Sequence, residues 1–375
     1  MDNEPIRVAQ IIGSVCKGGV EAVVFNYYRM IDKSKVQFDF IIDEDSPCEI
    51  PADIMALGCK VYKILSYKHL TAYIGSLKKI ISDNQYKIAH SHMNTLSVFA
   101  LFAGKQAGVP VRIAHSHSTA GKGEFARNVM KYMLRPFSRL FATHYFACSE
   151  YAGRWLLGSR AVERGQVTVI RNAIDTEKYS FNPDVREQVR RELGISDRFV
   201  VAHCGRFMPQ KNHVYLIDIF AEVHKRDENA ILLLIGDGEL KPFIEAKVQR
   251  LGLSDSVKFL GARDDVHRLY QAMDVFVLPS LYEGLAVVRV EAVAAGLPCL
   301  VAAGQSAELE TINGKFIGIA EKDIGTWCDS ILECKSMQRK DGGEMLRLHG
   351  WDIDETAAEL LVMYEKLLSN INQNV

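Results

Sequence analysis

Two glutamates eight positions apart, Glu283 and Glu291, carry the most chemical information in this chain of 375 residues. The residues joining them form a good helix sequence, and the apolar run Val275–Leu278 just ahead reads as a buried parallel strand. Were all eight steps helical, the two carboxylates would stand about 12 Å apart along one axis. Carboxylates that cut a glycosidic bond by acid–base hydrolysis sit closer, roughly 5–10 Å apart. The wider spacing suits a hold on both ends of an elongated, hydroxyl-rich ligand. Between the glutamates, the helix N-terminus offers N–H groups and positive dipole to an anion. A sugar nucleotide has that layout, with hexose, diphosphate and ribose in order. Upstream, Gly205-Arg206-Phe207-Met208-Pro209-Gln210-Lys211 follows another apolar run. Arg206 and Lys211 would be fixed cations over a helix start, placed to hold a diphosphate as charge develops on it.

These residues need a scaffold, and the hydrophobic pattern supplies one. Strand-like runs at Arg7–Ile12, Phe38–Asp43, Lys60–Ile64, Ile88–Ser91, Val111–Ala114, His144–Cys148 and Val167–Ile170 alternate with helical periods such as Val20–Ile31 and Leu70–Ser82. Turn and charge signals then dominate residues 172–198, with one short polar helix at Val185–Leu193. Afterwards the alternation restarts at Phe199–Gly205, Ile231–Gly236, Val257–Leu260, Val275–Leu278, Cys299–Ala302 and Lys315–Ile319. Repeated βα units mean parallel sheets, so the pattern predicts two doubly wound α/β domains. The length agrees, because a single core seldom grows this large. Open sheets of this kind bind ligands beyond the carboxyl ends of their strands, so a cleft between two of them is the expected site.

Composition narrows the function classes. Hydrophobic residues make up 48% and charged residues 24%, ordinary for a globular enzyme. A net charge of −1 argues against a nucleic-acid binder, and any anion site must therefore be local. The eight cysteines show no C-x-x-C pair, which predicts reduced thiols in a cytoplasmic protein rather than disulfides or a zinc site. The N-terminal residues lack a basic segment followed by an apolar one, and no 18-residue apolar run follows.

Weaker signals remain. Gly13-Ser14-Val15-Cys16-Lys17-Gly18-Gly19 opens the first helix like a phosphate-binding turn, without being GxGxxG or a Walker loop. The pairs His90/His92 and His115/His117 fall at strand ends. Each pair is expected to divide, one ring lining the cleft and the other serving the core, with no metal bound. Asp43-Glu44-Asp45 has the form of a D-x-D signature but is expected to be a solvated acidic loop. Arg127, Lys131, Arg135 and Arg139 recur at steps of four beside Met130, Met133, Leu134, Phe137 and Phe141. Such a basic amphipathic helix fits either a plain solvated face or an anionic membrane surface.

Taken together, these segments resemble the retaining family-4 glycosyltransferases, and in particular members that build bacterial capsular or exopolysaccharide. The resemblance runs through Gly18-Gly19, the histidine-bearing strand ends and Val169-Ile170-Arg171-Asn172-Ala173-Ile174-Asp175. It continues through Gly205-Arg206 with Lys211, Gly236-Asp237-Gly238, Glu283 to Glu291 and Trp351-Asp352-Ile353-Asp354. It implies a GT-B fold: a Rossmann-like acceptor-side domain over 1–178, a Rossmann-like donor domain over 179–350, and a C-terminal helix over 351–375 crossing back onto the first domain. It implies that Arg206 and Lys211 hold the donor diphosphate. Glu283, Gly205 and the backbone of Gly284, Leu285, Ala286 and Val287 would hold hexose and phosphate, and Glu291 would take the ribose hydroxyls. Gly18 and Gly19 would approach the donor, His117 would lie near the transferred sugar, and His92 and His115 would serve the acceptor side. The implied reaction moves a hexose from a nucleotide sugar, a UDP-sugar, to a glycan or lipid-linked acceptor, with retention and without cofactor or metal. The implied place is the cytoplasm or the inner membrane face. The alternatives are a UDP-sugar 2-epimerase of similar architecture and a degenerate nucleotide-sugar-binding subunit. Two positions depart from the family: Ala286, where proline is common, and Arg289, where a small or apolar residue is usual. Arg289 lies about 160° around a helix from Glu291, so it must reach water or a buried partner.

Overall fold

A computed structural model describes residues 4–16, 18–119, 125–306, 308–309, 314–339 and 342–372. The chain forms two compact units. One holds residues 1–120, 124–173 and 352–375, the other 121–123 and 174–351.

Unit 1 is built on seven parallel strands: β1 (Ile6–Gly13), β2 (Val36–Asp43), β3 (Val61–Ile64), β4 (Ile88–Ser91), β5 (Val111–Ser116), β6 (His144–Ala147) and β7 (Val167–Val169). Their order is β3-β2-β1-β4-β5-β6-β7. The chain winds outward one way from β1 and then the other way from β4, so the strand order reverses between β1 and β4. Helices α1 (Gly19–Met30) and α2 (Phe125–Leu134) follow β1 and β5. The strands read as near-continuous apolar runs because both faces are covered, with Val8, Ala9, Phe38, Phe40 and Ile113 almost wholly buried.

Unit 2 repeats the plan with six parallel strands: β8 (Phe199–Cys204), β9 (Ala230–Ile235), β10 (Val257–Gly261), β11 (Val275–Leu278), β12 (Cys299–Ala302) and β13 (Gly314–Ile317). Their order is β10-β9-β8-β11-β12-β13, which puts the reversal between β8 and β11. The core beneath them includes Phe207, Phe220 and Trp327. Helices α3 (His213–Arg226) and α4 (Val287–Ala294) follow β8 and β11. The last helix, α5 (Ile353–Asn372), belongs to unit 1, where it packs beside α1.

The short polar helix expected at Val185–Leu193 is there, beginning two residues earlier at Pro183, and it belongs to unit 2. Asn182 caps it by accepting from the N–H groups of Asp184 and Val185, and Gly194 ends it in the left-handed region at φ 64°. Arg186 and Arg190 reach the Asp274 carboxylate and the carbonyls of Ala272 and Met273, which fixes the helix against the edge of β11. Among the described residues no helix is long and apolar enough to cross a membrane.

Candidate functional site

The strand reversal in unit 2 gathers charge. Past β8 the chain makes a short turn at Pro209–Lys211, and Asn212 takes a left-handed conformation that launches α3. Gln210 donates to the Tyr282 carbonyl (3.0 Å) and to the Glu283 carboxylate (3.2 Å), while its own carbonyl accepts from the Leu281 N–H (2.8 Å). Asn212 donates to the Pro279 carbonyl. The loops after β8 and β11 are thus stitched together, and Lys211 Nζ reaches Glu283 Oε1 at 2.7 Å. Both side chains are largely enclosed. Arg206, by contrast, is exposed and has no side-chain partner among the described residues.

Glycine is required around this loop. A Cβ on Gly236 (φ 133°) would come within 2.2 Å of the Gly205 carbonyl oxygen, and one on Gly238 (φ 153°) within 2.6 Å of the Phe207 oxygen. The turn after β9 therefore lies directly on the Arg206 loop, tied by Gly205 N–H to Ile235 O and Phe207 N–H to Asp237 O. A Cβ on Gly205 itself would meet His203 Nε2 at 2.9 Å. His203 and His213 lie buried beneath this loop, and sequence reading passed over both. Burial pulls their pKa down, to about 4 for His203 and about 2 for His213. Both rings stay neutral.

The expectation of one helix running from Glu283 to Glu291 needs correction. Helix α4 starts only at Val287; Ala286 is its extended N-cap (φ −74°, ψ 120°) and offers no side-chain cap. Residues 281–283 are tied instead to Gln210, which holds the Leu281 N–H, the Tyr282 carbonyl and the Glu283 carboxylate. The helical spacing therefore does not describe the pair. Glu283 stands in the loop ahead of the first-turn N–H groups, and Glu291 lies within the helix. Glu291 accepts from Tyr179 Oη (3.0 Å) and Tyr270 Oη (2.9 Å), and burial raises its carboxyl above the usual range. Neither tyrosine carried a signal in the sequence. Arg289 finds a buried partner: Nη1 donates to the Ser306 carbonyl at 2.9 Å, and the guanidinium stacks 5.0 Å from the Phe316 ring.

In unit 1 the histidines do not divide between cleft and core. Residues i and i+2 of a strand point to the same face, and His90, His92, His115 and His117 form one buried stack. His90 and His92 are 4.2 Å apart between ring centroids, and His115 and His117 are 3.9 Å apart. Burial lowers all four pKa values, His117 to about 3. The Asn94 side chain accepts from the N–H groups of His117 and Ser118, which sets the loop after β5. Nitrogens of His90, His92 and His115 lie within 4.8 Å of one another, a spacing that a cation could use. Five of those six nitrogens already make hydrogen bonds, to Tyr364, each other's rings, His117 and Gln10. Among the described residues no carboxylate lines the adjoining cavity to offset a divalent charge.

The glycine turn also differs from the expectation. Glu21 Oε1 accepts from the N–H groups of Cys16 (2.7 Å) and Gly18 (2.8 Å), so a carboxylate of the chain occupies the turn beside Gly18 and Gly19. Lys17 lies outside the described residues. Asp43 is not part of a solvated loop. It is buried at the end of β2, and burial followed by the nearby Asp45 charge raises its carboxyl to about 6, while Glu44 and Asp45 are exposed.

The basic stripe is only partly free. Helix α2 ends at Leu134, Arg135 lies over the Trp155 ring (5.6 Å), and Arg139 lies over the Tyr145 ring (4.9 Å). Lys131 reaches the Thr119 carbonyl at 3.4 Å, and the Arg127 side chain lies outside the described part. Beside the exposed Arg139, this stretch also exposes five apolar side chains: Val129, Tyr132, Met133, Phe137 and Leu140.

Comparison with known proteins locates this arrangement. Residues 185–337 match the family described as "Glycosyl transferases group 1", and residues 17–178 match "Glycosyltransferase Family 4". EpsF of Bacillus subtilis (strain 168), a glycosyltransferase by name, is 33% identical over 375 aligned positions covering 97% of each chain. An Escherichia coli enzyme named UDP-Gal:alpha-D-GlcNAc-diphosphoundecaprenol alpha-1,3-galactosyltransferase is 26% identical over 79% of each. Among solved structures, Anabaena HepE in complex with UDP and glucose superposes with a TM-score of 0.80 at 20% identity, over 96% of this chain and 99% of that one. WaaG, a glycosyltransferase involved in lipopolysaccharide biosynthesis, gives 0.71 at 16% identity, over 96% and 99%. With one relative at 33% identity aligned from end to end and a family model matching each half, this chain belongs to the family-4 glycosyltransferases and has their GT-B fold.

Proposed function

We propose that this enzyme transfers a hexose from a UDP-sugar to a hydroxyl of a glycan or lipid-linked acceptor, with retention, in the assembly of a bacterial surface polysaccharide. The observation that carries the reading is the cluster at the strand reversal of unit 2. There the exposed Arg206, the enclosed Lys211–Glu283 pair and the uncapped start of α4 adjoin one another. A helix N-terminus and two cations suit a diphosphate. The donor class is supported by HepE, solved with UDP-glucose, and by the E. coli relative, whose name specifies a UDP-galactose donor and a diphosphoundecaprenol-linked acceptor.

In this reading Arg206, Lys211 and the first turn of α4, from Ala286 and Val287, hold the diphosphate beside Gly205. Glu283, oriented by Lys211 and Gln210, takes hexose hydroxyls together with the Gly284–Leu285 backbone. Glu291 takes ribose hydroxyls while its two tyrosines fix its rotamer. Unit 1 serves the acceptor through the loops bearing His92 and His115, sets His117 near the transferred sugar, and turns Gly18-Gly19 toward the donor. The acceptor oxygen bonds to the anomeric carbon on the face from which the phosphate departs, the C–O bond to phosphate breaks, and the acceptor proton passes to the leaving phosphate oxygen. Protein cations meet the diphosphate charge, so chelation by EDTA is expected to leave transfer unchanged.

The decisive experiment incubates purified protein with UDP-glucose, UDP-galactose and GDP-mannose and follows UDP or GDP release with and without a lipid-diphosphate acceptor. UDP release that depends on acceptor is expected. Lack of turnover and of measurable binding for every donor would overturn the reading. The exposed row Val129, Tyr132, Met133, Phe137 and Leu140, flanked by Arg135 and Arg139, supports docking on an anionic bilayer. Sedimentation with phosphatidylglycerol vesicles should fall when Met133, Phe137 and Leu140 become serine; equal sedimentation would remove the membrane from the proposal.

A further inference from the structure

We infer that Gln10 and Tyr364 join the four histidines into one hydrogen-bond chain that fixes which nitrogen of His117 carries the proton. The links are His117 Nε2 to His92 Nδ1 (2.8 Å), His92 Nε2 to Gln10 Oε1 (2.8 Å), Gln10 Nε2 to Tyr364 Oη (3.2 Å), Tyr364 Oη to His90 Nδ1 (2.7 Å) and His90 Nε2 to His115 Nδ1 (3.0 Å). All six residues are buried. The far end, His115 Nε2, has no partner among the described residues.

The sense of the chain follows from the Gln10 amide, the one member with a fixed donor end and a fixed acceptor end. Its oxygen faces His92, so His92 Nε2 must carry a hydrogen and His92 Nδ1 must be bare. His117 then donates through Nε2, which leaves its Nδ1 a lone pair. On the other side the Gln10 amide donates to Tyr364, whose hydroxyl donates to His90. His90 passes its Nε2 hydrogen to His115, and His115 ends as an Nε2–H directed toward the cavity lined by Gln10, His90, His92, His115 and Tyr364. Turning the amide over would reverse every link at once. Burial keeps the four rings neutral, and a second hydrogen on His90, His92 or His115 would also break the sequence of donors.

Gln10 and Tyr364 are therefore positioning residues. Tyr364 stands on α5, on the return segment of the chain, and acts on His117 through two intermediate groups, Gln10 and His92. A bare His117 Nδ1 accepts a hydrogen from a hydroxyl and cannot donate one to a departing phosphate. This consequence for transfer rests on the reading above, whereas the tautomer does not.

The test uses long-range 1H–15N correlation spectra of ring-labelled full-length protein at pH 7.5. His117 should show a single tautomer, with hydrogen on Nε2 and a bare Nδ1. Tyr364→Phe, which touches neither His92 nor His117 in the fold, should give a mixture of both tautomers at His117 and lower kcat several-fold without changing affinity for UDP. Should that variant fail to fold, Gln10→Met serves the same purpose, and the wild-type spectrum alone tests the sense. An Nδ1–H tautomer in the wild type would overturn the inference, as would an unchanged tautomer in a folded Tyr364→Phe protein. One equivalent of zinc retained on purification and bound through these rings would also overturn it. A tautomer that shifts while kcat does not would uphold the chain and remove His117 from contact with the substrate.

Discussion

The two units solve the same topological problem with opposite electrostatics. At the β1/β4 reversal, unit 1 places rings that are neutral, buried and hydrogen-bonded to one another. At the β8/β11 reversal, unit 2 places a lysine, an arginine and a glutamate, with one cation left exposed. Duplicated architecture thus leaves the chemistry to the loop residues at the strand ends. A neutral network can orient a hydroxyl without competing for a dianion, whereas an ionic cluster can hold a diphosphate and respond as its charge grows. The contrast predicts that charge-removing substitutions hurt activity mainly in unit 2, while pH acts mainly on the stability of unit 1.

The largest effect should come from Lys211→Ala. It takes away one of the two cations proposed to hold the diphosphate and, among the described residues, leaves Glu283 with Gln210 as its side-chain partner. A loss of about 10³-fold in kcat/KM, about 4 kcal/mol, is the expected size for a charge that acts on the leaving group. Steady-state release of UDP measures it; a loss under tenfold would place the diphosphate elsewhere. Next is Gly236→Ala, whose methyl would stand 2.2 Å from the Gly205 oxygen at a φ of 133°. The Arg206 loop must give way, and a destabilisation of about 3 kcal/mol is expected in urea unfolding. An unchanged midpoint would mean that the loop moves freely.

Acid should separate the units. Each buried histidine stays neutral in the fold and takes a proton near pH 6.5 once unfolded, so its contribution is present above about pH 6.5 and is lost as pH falls toward the folded value. His117, lowered to about 3, and its three neighbours place four such groups in unit 1; His203 and His213, lowered to about 4 and 2, place two in unit 2. Asp43, raised to about 6, opposes them in unit 1: its contribution is present at low pH and is lost as pH rises through 6. Four against one still leaves unit 1 the more acid-sensitive. Hydrogen exchange at pH 7.5 and 5.5 should show protection falling first in β1, β4 and β5; equal loss in both units would break the comparison.

Much of the scaffold was legible in the sequence because parallel strands covered on both faces are uninterrupted apolar runs. All thirteen such runs are strands, from Ile6–Gly13 to Gly314–Ile317. The charged residues after strands were legible for a related reason: Arg206 and Glu283 each stand just past an apolar run, with Lys211 five positions beyond Arg206. What escaped was long-range partnership. Nothing near Glu291 in the chain announces Tyr179, 112 positions away, and nothing near His90 announces Tyr364, 274 away. Gln210 was visible only as a loop residue, yet its side chain ties down Tyr282 and Glu283 ahead of the helix. The histidine stack was misread through geometry, since alternation along a strand brings i and i+2 together.

The finest test concerns Glu291, the one acid at the unit 2 reversal held by hydroxyls rather than by a cation. Glu291→Gln keeps the shape, and both tyrosine hydroxyls can turn to suit the amide, one donating to its oxygen and one accepting from its nitrogen. The wild-type carboxyl is raised by burial, so charge there is disfavoured and the neutral amide should be tolerated; the unfolding temperature should hold or rise slightly. Ribose hydroxyls, however, donate better to a carboxylate than to an amide. UDP affinity is therefore expected to fall about tenfold, equivalent to about 1.4 kcal/mol. The same substitution should leave the affinity for free glucose untouched. Calorimetric titration with UDP reads the difference directly. Unchanged affinity would mean that Glu291 only braces Tyr179 and Tyr270, and that the ionic character of the unit 2 site ends at Glu283.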